Sequence, residues 1–183
     1  ESPDKTGHTY FKHVLENFRG KVYPINFRAT EVLGVPTYKS IRDLPENVDY
    51  VVSAIPNRDA LDLVDACVSK GVKALHLYTA RFSETGSEEG AQMERDILLR
   101  AKAGGMRILG PNCMGLYYPR VGMAWGRGFP KEPGNVGIIS QSGGNAGEII
   151  SVGASRGLRF SKVISYGNAL DLNEADLVEY LAD

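Results

Sequence analysis

The run Tyr50-Val51-Val52-Ser53-Ala54-Ile55 is apolar at nearly every position rather than at every second one. A strand made from it must therefore be covered on both faces, as strands of parallel sheets are. Pro56-Asn57 breaks the run. Ala60 to Lys70 then carries Leu61, Leu63, Val64, Ala66 and Cys67 as a helix, and Gly71 stands at its expected C′ position. The alternation repeats: Ala74 to Tyr78 reads as a strand, Glu88 to Ala103 as a charged amphipathic helix stopped by Gly104-Gly105, and Arg107 to Leu109 as a further strand. Strands alternating with helices through short loops predict an α/β fold, a parallel sheet with helices on both faces.

Ahead of this unit, Phe11, Val14, Leu15 and Phe18 recur at helical spacing and predict a helix from Thr9 to Phe18, with His8 and His13 as surface or capping residues. Lys21 to Ile25 reads as a short strand, and Asn26-Phe27-Arg28 as a turn at its carboxyl end, where parallel sheets meet ligands. Tyr117 to Gly134 loses periodicity, and Lys131-Glu132-Pro133-Gly134 has the composition of a linker. A second unit follows: strand Val136 to Ile139, a helix to about Arg156 capped by Gly157, strand Lys162 to Ser165, the turn Tyr166-Gly167-Asn168, and a helix from Asn173 to Leu181. A dinucleotide-type fold opens with a central strand and a glycine-rich turn, and neither precedes Glu1. The second unit is also too short to close a covered sheet. The expectation is a piece of a longer protein.

Within the second unit, Ser140-Gln141-Ser142-Gly143-Gly144 lies between a strand and a helix. A helix start leaves backbone N–H groups without intrahelical partners and carries a partial positive charge. Four residues with little side-chain bulk let an anion approach those amides, which points to a phosphate or carboxylate site. The same glycines would also serve a turn needed only for close strand–helix packing, and spacing alone leaves both readings open.

Composition excludes more than it selects. Across 183 residues, 21 Lys+Arg against 22 Asp+Glu leave a net charge of −1, which gives no electrostatic argument for nucleic acid or an anionic membrane. No apolar run reaches transmembrane length, and the start does not read as a signal peptide. Cys67 and Cys113 fall in unlike contexts and build no disulfide framework, which fits a reducing, cytoplasmic setting. His8, His13 and His76 share no metal-ligand spacing, so no metal site is expected.

Three motifs stand in fixed order: Gly110-Pro111-Asn112-Cys113-Met114-Gly115, then Ser140 to Gly144, then Ser165-Tyr166-Gly167-Asn168 followed by Asp171 and Glu174-Ala175-Asp176-Leu177. With Gly20 to Asn26 and Phe82-Ser83-Glu84 plus Gly86, they resemble the NDP-forming acyl-CoA synthetases, the superfamily of succinyl-CoA ligase α subunits. The acetate–CoA ligase (ADP-forming) branch is the nearer likeness, and it runs essentially end to end. The resemblance implies a Rossmann-like CoA-binding domain over residues 1–129, its first strand missing, and the first half of a flavodoxin-like ligase domain over 130–183. It implies joining of a small carboxylate to CoA as ATP is cleaved to ADP and phosphate, or the reverse, by way of an acyl phosphate and a phosphohistidine. It also implies an oligomer, and an ATP-grasp domain or β subunit outside this chain that holds ATP and Mg. The phosphorylated histidine is implied further along, since none of the three histidines lies in a matching motif.

Residue roles follow from the same likeness. An opening glycine-rich turn would cradle the CoA phosphates, and only its edge near Pro3 to Gly7 is present. Arg28 falls near the nucleotide end of CoA. Ser53, Ile55 and Pro56, with Thr79, Ala80 and Arg81, fall along the pantetheine arm, and Pro111, Asn112 and Cys113 beside the thiol. Relatives commonly have Gly where this chain has Arg81. Ser140, Gln141, Ser142, Gly143 and Gly144 are implied as the phosphate or phosphohistidine station, with Glu148 matching an acidic residue of succinyl-CoA ligases. Gly147 stands where those enzymes carry a tyrosine, which argues against succinate. Trp125 and Arg127 are candidates to border the acyl pocket. Two other readings are a non-catalytic CoA-binding regulatory module, as in acetyltransferase fusions, and an NAD-dependent dehydrogenase. Against the latter, Asn26-Phe27-Arg28 offers no acid to grip a ribose.

Overall fold

The computed structural model describes residues 6–123 and 128–182. Pro3 to Lys5 of the expected phosphate turn, together with Trp125 and Arg127, lie outside them.

Helix α1 spans Thr6–Asn17, starting earlier than its apolar stripe does. Val14 is buried, while Leu15, expected on the same face, is exposed. Lys21 to Ile25 forms no strand. Ile25 makes a single parallel bridge to Tyr38, flanked by Tyr38 N–H to Pro24 O at 3.0 Å and Asn26 N–H to Tyr38 O at 2.8 Å. Pro24 has no N–H to continue a ladder, which limits pairing there. A two-residue turn, Leu33-Gly34, with both φ positive, joins β1 (Glu31–Val32) to β2 (Val35–Pro36). Strands of two residues leave no readable alternation.

The first sheet is parallel, in the order β3 (Tyr50–Ser53), β4 (Ala74–Leu77), β5 (Arg107–Leu109). Helices α2 (Ala60–Ser69) and α3 (Glu88–Ala103) pack on each other and on this sheet. Their buried faces close a core that includes Val64, Cys67, Leu75, Leu77, Ile97 and Ile108. Ser87 caps α3, its Oγ accepting from Gly90 N–H at 3.1 Å.

The second sheet runs β6 (Gly115–Tyr117), β8 (Phe160–Ser165), β7 (Val136–Ser140). β7 and β8 are parallel, whereas β6 is antiparallel to β8. β6 is not expected from sequence: it runs from the last residue of the Gly110–Gly115 motif to the first of the aperiodic segment, and three residues are too few to show a period of two. It therefore pairs within the second sheet although it precedes residue 129. Helix α4 (Gly143–Ser155) packs on β7 and β8, and α5 (Glu174–Ala182) on β7. Among the described residues, no helix is long and apolar enough to cross a membrane.

Candidate functional site

A cavity of about 570 Å³ opens between the two units at the carboxyl ends of β4, β5 and β7. One wall is the loop after β5, with Asn112, Cys113 and Met114; the other is the start of α4, with Gln141, Ser142, Gly143 and Gly144. Tyr78 and Ala80, from the end of β4 and its loop, complete the lining. Carboxyl ends of parallel strands are where α/β sheets place ligands, because the helix starts converge there.

The wall after β5 is closed upon the protein. Asn112 N–H donates to Thr79 O at 3.0 Å, and Met114 N–H to Ser165 Oγ at 3.3 Å. Gly110 O and Pro111 O accept from Leu170 N–H at 3.1 Å and Asn168 N–H at 2.9 Å. Asn112 sits at φ 58, a left-handed conformation that asparagine tolerates better than most side chains. Behind the wall, His76 Nε2 lies 3.3 Å from Cys113 O; a carbonyl only accepts, so Nε2 carries the proton. The ring is fully buried, its Nδ1 has no partner, and burial pushes its pKa down to about 4. Burial also pushes the Cys113 thiol up to about 12, so it is no ready nucleophile.

The wall at α4 is open. Ser142 is the N-cap, its Oγ accepting from Asn145 N–H at 3.2 Å. The N–H groups of Gly143 and Gly144 find no partner among the described residues and stand at the cavity, at the positive end of a thirteen-residue helix. The two glycines answer to different demands. A Cβ at Gly143 would lie 2.8 Å from Met114 N, so this glycine is needed for packing. A Cβ at Gly144 would meet nothing nearer than Ser142 Oγ at 3.8 Å, so packing does not require a glycine there. The packing reading of the turn therefore accounts for Gly143 and leaves Gly144 unexplained.

The turn after β8 stands between the walls. Ser165 Oγ, accepting from Met114, donates to Gln141 O at 3.4 Å. Gly167 N–H donates to Gln141 O at 3.1 Å, and Gln141 Nε2 returns a bond to Gly167 O at 3.0 Å. Gly167 has φ 59, and a Cβ there would collide with the Pro111 and Asn112 carbonyl oxygens. Only glycine fits that approach.

Of the residues singled out from sequence, the cavity gathers Ala80, Asn112, Cys113, Gln141, Ser142, Gly143 and Gly144. Ser140 sits just behind, its Oγ donating to Ser142 O at 2.9 Å. Thr79 Oγ1 donates to Ile55 O, joining the loops after β3 and β4. Ser53 is buried and its Oγ has no partner; Pro56 O accepts from Asp59 N–H at 3.0 Å. Arg81 has φ 78, which explains why glycine suits this position; its N–H is taken by Glu84 and its carbonyl by Asn57 Nδ2 at 2.7 Å. Arg28 is exposed, with its guanidinium 5.0 Å from the Phe27 ring centroid, and Glu148 is exposed on α4. Ser53, Ile55, Pro56, Thr79, Arg81, Pro111, Arg28 and Glu148 are not part of the lining. Tyr78 and Met114 are, and sequence reasoning assigned them no role. The strand-end position of Tyr78 was the available signal.

The model of the CoA binding domain matches residues 1–119, and that of the succinyl-CoA ligase like flavodoxin domain matches residues 133–183. The α subunit of acetate–CoA ligase (ADP-forming) II of Pyrococcus furiosus is 41% identical over 181 residues, covering 99% of this chain and 39% of that subunit. Acetate–CoA ligase (ADP-forming) of Methanocaldococcus jannaschii is 38% identical over 181 residues, covering 98% of this chain and 25% of that protein. The chain thus spans two fifths or less of these relatives. Among solved structures, the dinucleotide-forming acetyl-coenzyme A synthetase 1 of Ca. Korarchaeum cryptofilum, in complex with phosphate and ADP, superposes with a TM-score of 0.91 at 34% identity, covering 99% of this chain and 39% of that one.

Proposed function

The chain belongs to the CoA-binding-domain family, and from that premise we propose that it is the CoA-handling portion of an ADP-forming acid–CoA ligase. The observation that carries the reading is the cavity between a closed loop and an open helix start. In the thioester-forming direction, the CoA sulfur attacks the carbonyl carbon of an acyl phosphate, the C–O bond to phosphate breaks, and phosphate departs with the electron pair and takes up the proton that the thiol loses. Such a step needs a surface for the reacting thiol and a set of pre-oriented donors for the departing anion. Asn112 and Cys113 furnish the first. Gly143 and Gly144 N–H furnish the second, with Ser142 holding the helix start in place.

A small carboxylate is the acyl donor in this reading. ATP, ADP and Mg are handled by an ATP-grasp domain or a β subunit, and a phosphohistidine carries phosphate to the α4 start. Arg28, Ser53, Ile55, Pro56, Thr79, Arg81 and Pro111 serve CoA along the arm between its nucleotide and its thiol, and Glu148 serves the phosphate station. The protein works in the cytoplasm as an oligomer.

The test uses the full-length protein. ATP turnover to ADP is expected only when both CoA and acetate, or another small carboxylate, are supplied. Calorimetric titration is expected to show CoA binding and no comparable binding of NAD. Preference for NAD, or ATP turnover indifferent to CoA, overturns the proposal.

A further inference from the structure

Asn168, in the turn after β8, bonds to the loops after β4 and β5 and to helix α3. Its Nδ2 donates to Glu84 Oε2 at 2.7 Å and to Glu94 Oε1 at 2.9 Å. An amide NH₂ has two N–H bonds, and each carboxylate takes one. On the same side chain, Oδ1 accepts from Asn112 Nδ2 at 3.4 Å, while the backbone N–H goes to Pro111 O at 2.9 Å.

Both acids belong to the first unit. Glu94 is 9% exposed and lies on the buried stripe of α3 that continues through Ile97 and Ala101. A carboxylate so placed is costly unless its oxygens are bonded, and Asn168 and Ser83 N–H at 3.4 Å do this for Oε1. Glu84 accepts from the N–H groups of Arg81 and Phe82, so it shapes the loop after β4. Burial pushes the Glu84 carboxyl up, but hydrogen bonds from Asn168 and the nearby backbone outweigh this and hold it below the usual carboxylate range. The side-chain type matters here. Aspartate at 168 would crowd three carboxylates together, and alanine would leave Glu94 short of a donor.

We propose that Asn168 is a positioning residue for the cavity: it clamps the Asn112 wall to the loop after β4, while its neighbour Gly167 fixes the same wall against Gln141. The spacing of the two walls is then set from the second unit. This deepens the reading above and rests on it only in naming CoA as the ligand.

The two cysteines supply an internal control. Cys113 lies in the clamped wall and is 4% exposed, while Cys67 lies within the first core and is 0% exposed. In the full-length protein, alkylation by iodoacetamide under native conditions is followed at each cysteine by peptide mapping. Asn168→Ala is expected to speed labelling of Cys113 at least about tenfold, and to leave Cys67 within about twofold, because only a local opening is involved. Glu84→Gln, at an exposed position, is expected to do the same more weakly and serves if Asn168→Ala does not fold. Equal acceleration at both cysteines overturns the proposal, since that is general destabilisation. Unchanged labelling of Cys113 in both variants also overturns it. A separate titration of Asn168→Ala with CoA is expected to show about tenfold weaker binding. Selective exposure of Cys113 with unchanged CoA affinity supports the clamp and counts against CoA as the ligand.

Discussion

The loop after β5 directs its backbone groups into the protein, with Asn112, Met114, Gly110 and Pro111 all bonded to neighbouring elements. The start of α4, across the same cavity, leaves the N–H groups of Gly143 and Gly144 without partners among the described residues. Both loops follow parallel strands and both are rich in small residues, so composition does not separate them. Hydrogen bonding does. A loop that spends the Asn112 and Met114 N–H groups on the protein is suited to shaping a pocket; a helix start capped by Ser142 only at Asn145 still has first-turn donors and a favourable dipole to offer. The proposed function builds on this difference: it puts the phosphate at the α4 wall and the thiol end of CoA at the other.

The strongest way to break this comparison is to put a charge into the open wall. Ser142→Asp keeps a good N-cap, so the fold is expected to survive. A carboxylate then occupies the place of the phosphate, and ATP-dependent CoA acylation by the full-length protein is expected to fall at least about 100-fold. Retained turnover would remove this loop from the mechanism.

Gly167→Ala attacks the post between the walls. The added Cβ meets backbone oxygen atoms of Pro111 and Asn112 at a positive φ, and a loss of about 3 kcal/mol or more in urea unfolding is expected.

The closed wall has its own signature in pH. His76 is held neutral in the folded protein, with its pKa pushed down to about 4 by burial, while the unfolded chain takes up the proton near pH 6.5. The unfolded state therefore binds more protons between these values. The stability contributed by burying the neutral ring is present above pH 6.5 and is lost as pH falls toward 4, by at most about 3 kcal/mol. His76→Asn is expected to remove that slope, and an unaltered slope would show that the imidazole does not titrate in this way.

Smaller still is Gly143→Ala, where the Cβ presses on Met114. A loss of about 1–2 kcal/mol is expected from this overpacking.

Much of this comparison is legible in the amino-acid sequence. Runs such as Tyr50 to Ile55 and Val136 to Ile139 announce strands, although β3 and β7 stand at sheet edges and are mostly half-buried, and Ser140 to Gly144 announces a helix start. What was not legible has physical causes. Pro24 interrupts pairing in a stretch that otherwise reads as a strand. β6 is too short to show alternation, and it takes its identity from β8. Glu94 looks like one more charge on a charged helix, although its spacing from Ile97 and Ala101 placed it on the buried stripe. The division of labour between Gly143 and Gly144 depends on where Met114 stands, which no local pattern records.

The central claim, that the α4 start is an anion station and not merely a packing turn, is tested most directly by Gly144→Ala. Its Cβ meets nothing nearer than 3.8 Å, and alanine is the better helix former, so thermal unfolding is expected to be unchanged or up to about 1 kcal/mol more favourable to the folded state. Phosphoryl-dependent turnover by the full-length protein is expected to drop at least about tenfold, because the methyl group intrudes where phosphate approaches the amides. Full activity in a variant of unchanged stability would contradict the account.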